Sequence, residues 1–132
     1  MADITEDRTI DKMCGEKLGD LLNPTALIPV GAMFVLDADG FAVPATASAS
    51  APVRGIALRR ADGPNGDDKV LGAAKGVYRF QNSETAPLTA ADIGLGAAVE
   101  DCHTVCKGEG CVAGVVFDVN DEGVWVELGR KP

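Results

Sequence analysis

The chain has 132 residues, of which 46% are hydrophobic but only 5% aromatic, and its formal charge is −8. That length suits one domain, whose core must be filled by Ala, Val and Gly rather than by large rings. The acidity argues against direct nucleic-acid binding, which rests on cationic contacts to phosphate. Arg59-Arg60 is the one adjacent basic pair before Arg130-Lys131. No apolar run reaches the ~18–20 residues that span a bilayer, so no membrane partner is expected. Met1 to Arg8 is acidic and polar without a secretory signal, which makes the cytoplasm the expected place of synthesis.

Residues 1–23 are charged, with scattered Ile4, Ile10, Met13, Leu18, Leu21 and Leu22. The last three follow i, i+3, i+4 spacing and predict a short amphipathic turn or helix, which Gly15 and Gly19 keep from being long. This segment reads either as a partly disordered tail or as an arm that docks on a neighbour, its six apolar residues then supplying anchors for a partner's groove. The arm is assigned to 1–26 and a β-rich domain to 27–132. Leu27 to Leu36 is strand-like, with Pro29 marking a start or an edge. Asp37-Ala38-Asp39-Gly40 is a turn, Phe41 to Pro44 is extended, and Ala45 to Pro52 is a small-residue loop. Pro52 to Arg60 alternates as a strand, and Ala61 to Asp68 is an exposed loop tip.

Lys69 to Phe80 reads as one bent strand or two short ones, and Gln81 to Pro87 as another loop. Thr89 with Asp92 fits a capping pattern for one helical turn. Strands follow at Ala97-Ala98-Val99, Cys111 to Val119 and Gly123 to Leu128, the last two joined through the hairpin signal Asn120-Asp121-Glu122-Gly123. Turn signals at roughly 8–12-residue spacing and no βαβ alternation predict an all-β fold. The expected form is a compact β-sandwich or barrel, a jelly roll among the topologies this allows, with an extended N-terminal arm. Trp125, in an alternating strand, is expected in the core or in packing between subunits.

Cys102, His103, Cys106 and Cys111 fall close together, and Cys14 lies in the arm. Thiolate and imidazole suit zinc, but the C-H-x-x-C-x-x-x-x-C spacing is not a paired CxxC set, and no metal or other cofactor is assigned. Disulfides are the second chemistry, with Cys102 and Cys111 closing a small loop and Cys14 pairing with Cys106 or with a neighbouring subunit. Free, partly buried thiols are the third. A Cys–His nucleophile is disfavoured because Cys102 and His103 are adjacent and point apart on a strand. Asp37-Ala38-Asp39-Gly40 and Asp118 to Gly123 are oxygen-rich but lack calcium-loop spacing, so both read as turns.

The order Val30-Gly31, Gly55-Ile56-Ala57, Gly76-Val77-Tyr78, Leu88 to Val99, Val112-Ala113-Gly114-Val115-Val116 and Gly123 to Leu128 resembles the capsid decoration, or cement, proteins of tailed bacteriophages. The resemblance covers roughly residues 27–128 and implies a small β-rich, non-enzymatic protein on the outer surface of the virion capsid. There it would bind the major capsid protein, with the arm as the first docking element and the loops at 45–52 and 61–68 as further contact elements, associate with itself as a homo-trimer or homo-dimer, and reinforce contacts between capsomers. No catalytic residues are carried over. The alternatives are another virion β-module, such as a tail or fibre adaptor, and a small zinc- or thiol-dependent module.

Overall fold

The computed structural model describes residues 17–131. In chain order its strands are β1 (Lys17–Leu21), β2 (Leu27–Ile28), β3 (Met33–Leu36), β4 (Ala42–Pro44), β5 (Gly55–Ala57), β6 (Ala61–Asp62), β7 (Lys69–Ala73), β8 (Gly76–Asn82), β9 (Gly96–Asp101), β10 (Thr104–Cys106), β11 (Val112–Asn120) and β12 (Gly123–Leu128). One 3₁₀ turn, Ala90–Asp92, interrupts them. The fold is all-β, as the turn spacing predicts. A five-stranded sheet in the order β1-β7-β5-β3-β4 stands beside a closed barrel, β10-β8-β12-β11-β9. A two-stranded ladder, β2 with β6, completes it.

The alternation of small apolar residues explains the barrel. On β12, Val124, Val126 and Leu128 are buried while Gly123, Trp125 and Glu127 between them are only half covered, the period-two pattern of a strand with one face on a core. β12 pairs with β11 on one side and β8 on the other. Asn120 lies opposite Gly123, so Asp121 and Glu122 form the two-residue loop of the expected hairpin. Asn120 Oδ1 accepts the Glu122 N–H, and Gly123 takes φ +139 where a side chain would be strained.

Two core clusters result. One fills the barrel and the face of the first sheet beneath it, with Met33, Val35, Ile56 and Ala73 meeting Phe80, Val99, Val116 and Val126. The other lies on the sheet's opposite face, where Leu22, Ile28, Phe34, Ala57 and Val70 gather. The barrel is tied to the sheet at Met33, whose N–H donates to the Cys102 carbonyl (2.8 Å), and at Val53, whose N–H donates to the Val112 carbonyl (2.9 Å).

Three local expectations are corrected. Leu18, Leu21 and Leu22 lie in or directly after strand β1, not in a helical turn. Lys17 to Leu21 pairs residue for residue with Ala73 to Lys69. Leu18 packs on the second cluster, Leu21 is exposed and Leu22 is 3% exposed, so the pairing edge of β7 overrides a weak helical spacing. The 61–68 loop holds β6 at its start. Thr104–Cys106, inside the segment read as a loop, is the strand that closes the barrel, pairing with both β8 and β9. Lys69–Phe80 is indeed two strands, and they belong to different sheets.

Candidate functional site

The cysteines are dispersed by the barrel rather than gathered by it. Cys102 occupies the two-residue turn between Asp101 and Thr104, where the His103 N–H donates to Asp101 Oδ1 at 2.9 Å. Cys106 ends β10. Cys111 lies across β9, its carbonyl accepting the Val99 N–H while Val105 flanks Val99 on the other side. Two strand spacings of ~4.8 Å therefore separate Cys106 from Cys111, beyond the ~7 Å Cα limit for a disulfide. Cys102, Cys106 and Cys111 are free thiols, so the Cys102–Cys111 staple is not formed. Cys14 lies outside the described residues, as do Ile4, Ile10 and Met13.

Burial pushes all three thiols above the usual cysteine range, with Asp101 adding to the effect at Cys102 and Glu100 at Cys106. They stay protonated near neutral pH, which suits neither a nucleophile nor a metal ligand. Cys111 donates to the Ala51 carbonyl (3.3 Å) from a buried position. Cys102 packs against the second core cluster. His103 instead lines a polar cleft of about 440 Å³ with Gly31, Arg79, Phe80, Gln81 and Glu122. Among the described residues, no three His, Cys, Asp or Glu side chains converge as a metal-binding set.

The oxygen-rich segments are turns. Asp37 Oδ1 accepts the N–H groups of Asp39 and Phe41, and its Oδ2 accepts the Asn23 amide. These bonds, led by Phe41, hold its carboxyl below the usual range. Asp92 accepts the Thr89 N–H at 2.8 Å and faces Lys107 Nζ at 3.5 Å. Its carboxyl is lowered first by the Thr89 bond and then by the lysine's charge.

Leu27, Val30, Val77 and Val112 apart, the exposed large apolar side chains among the described residues fall in two places. The first is a rim of the barrel. β11 is bulged between Val116 and Asp118: Val116 opposes Val126 and Asp118 opposes Trp125, leaving Phe117 without a partner. A bulge re-aims a side chain, and Phe117 is 58% exposed. The segment after the 3₁₀ turn runs beside it, since Gly94 N–H donates to the Val116 carbonyl and Val116 N–H to the Leu95 carbonyl, both 2.8 Å. That ladder brings exposed Ile93 and Leu95 alongside Phe117.

The second is an overhang of the first sheet. Ile56 and Ala73 lie under the barrel and are buried. Two residues further along the same face, Leu58 and Leu71 lie opposite each other, the Leu58 N–H donating to the Leu71 carbonyl at 2.8 Å, and both are exposed. Opposite Leu71 on β1 stands Gly19, which covers nothing, and exposed Leu21 pairs with Lys69. A groove of about 330 Å³ opens here, lined by Arg59, Arg60, Lys69 and Leu71 with Asp67 and Asp68.

Sequence reasoning names Leu21 as an anchor and the 61–68 tip as a contact element, and both adjoin this overhang. It misses Phe117, Ile93 and Leu95, because alternation alone places Phe117 on a strand without revealing the bulge. Trp125, expected in the core or in packing between subunits, is outside the core, half-buried on the outer wall opposite Arg79. Comparison with protein-family models, with curated proteins and with solved structures finds no match to this chain.

Proposed function

We propose that this protein is a structural, non-enzymatic component of a bacteriophage particle that binds the outer surface of the capsid through the major capsid protein and stabilises contacts between capsomers. The observation that carries the reading is the rim at Ile93, Leu95 and Phe117. Three large apolar side chains stand in solvent on a closed barrel, and a bulge in a regular strand holds one of them there. Contiguous exposed apolar surface on a rigid scaffold marks a protein-binding face, and many equivalent copies on a symmetric lattice let a modest contact accumulate avidity. The sequence order that resembles the decoration proteins selects the capsid as the partner.

Co-sedimentation with expanded, undecorated heads of the phage that encodes the chain tests this. Saturable binding at a fixed ratio to the major capsid protein is the expected result. Absence of binding to heads, with binding to tail or fibre parts, would replace it by the tail-adaptor reading.

A further inference from the structure

We infer that the overhang of the first sheet is the receptor for the acidic N-terminal arm of a second copy of this chain. The contact is between copies, so it stands apart from the identity of the particle the protein decorates.

The receptor combines two chemistries. Leu21, Leu58 and Leu71 give it an apolar floor, and Gly19 leaves Leu71 uncovered from the β1 side. Arg59, Arg60 and Lys69 rise around it. The ion pairs among the described residues involve Arg54, Arg79, Lys107 and Arg130, so none of these three cations is among them. Of the two carboxylates in the groove, Asp67 is committed to the loop itself, accepting the Asp62 N–H at 2.8 Å. With Asp67 and Asp68 counted, the groove's side chains still carry one net positive charge on a chain of net charge −8.

The occupant follows by complementarity. Residues 1–16 carry Asp3, Glu6, Asp7, Asp11 and Glu16 against Arg8 and Lys12, interleaved with apolar Ile4, Ile10 and Met13. An acidic segment with spaced apolar residues matches a cationic groove with an apolar floor. The remaining anchors of the arm are these three, because Leu18 and Leu22 serve the chain's own core. Each copy then offers one arm and one receptor, a head-to-tail contact that closes into a ring or, if exchanged reciprocally, a dimer.

The test is a charge-reversal exchange in the full chain, read by sedimentation equilibrium at low and high salt. One variant carries Arg59→Glu, Arg60→Glu and Lys69→Glu; the other carries Asp3→Lys, Glu6→Lys and Asp7→Lys. The native chain should self-associate, less so at high salt. Each variant should associate at least about tenfold more weakly, as expected for losing three surface ion pairs. Because every altered residue is exposed or lies in the arm, urea midpoints serve as the folding control. Mixing the arm variant with native chain should give intermediate association, since native arms still dock on the arm variant's unaltered receptors while reversed arms repel native ones. Mixing the two variants should restore association, because the receptor variant's acidic arm meets the arm variant's cationic receptor and the reversed arm meets the reversed receptor. A single chain carrying both reversals restores complementary charges in the same way and should associate as the native chain does. A monomeric native chain, variants that associate undiminished, or a doubly reversed chain that stays dissociated would each overturn the inference. A monomer whose arm is nonetheless protected from protease would assign the groove to the chain's own arm instead.

Discussion

Replacing Phe117 by Ala should separate docking from folding. A phenylalanine exposes about 200 Å² in an open chain, and 58% of it remains exposed here, so a partner covering the rim would remove about 115 Å² of apolar surface. At ~25 cal/mol per Å² that is about 3 kcal/mol, or roughly a hundredfold in Kd. The part already covered, about 85 Å², bounds the folding penalty near 2 kcal/mol by the same coefficient. The variant should therefore remain folded while its binding to expanded heads weakens by one to two orders of magnitude. Binding isotherms on heads, paired with urea unfolding followed through Trp125, measure both quantities. A variant that binds as tightly as the native chain while showing the expected loss of stability would refute the assignment of the rim.

Other outcomes follow from packing and titration. A Cβ at Gly72 would stand 2.8 Å from the Phe34 ring and 2.9 Å from the Ile56 carbonyl. Gly72→Ala should cost about 1–3 kcal/mol in urea unfolding, with Phe34→Leu recovering part of it because the ring is the movable obstacle. Since Cys102, Cys106 and Cys111 are unpaired, reductant should leave the melting temperature unchanged under non-oxidising preparation, and a clear drop would contradict the separation of the three thiols. Asp37 and Asp92 have folded pKa values below their unfolded ones. Their contribution is present above the unfolded pKa and lost as pH falls through the folded values. Asp92→Asn should thus destabilise at neutral pH yet flatten the acid limb of the stability curve, which melting from pH 7 to 2 would show.

The strands that announce themselves in the sequence are those with one clean buried face and a turn with side-chain chemistry. β11 and β12 meet both conditions through Val124, Val126 and Leu128 and through Asn120 and Gly123. β10 meets neither, being short and entered by a Cys102-His103 turn whose organising residue is Asp101. β1 was obscured because Leu18, Leu21 and Leu22 satisfy helical spacing, while the partner that makes them a strand lies fifty residues downstream in β7. The exposed apolar faces were the least legible. A bulge is a mismatch between two strands, and an overhang is a difference in reach between a sheet and the barrel that covers it. Neither is a property of a local segment.

The passage of β7 into β8 has a mechanical consequence. Only Ala74 and Lys75 separate the strand that holds β1 from a wall of the barrel. Because Lys17, where the arm enters β1, lies opposite Ala73, where β7 leaves for the barrel, tension between the arm and the barrel would load the antiparallel ladder from one end and open its pairs one at a time. From β7 the load would pass along the covalent chain into the barrel instead of across a soft linker. A tether anchored at the arm would therefore release β1 first and leave the barrel, with the rim that carries Phe117, in place.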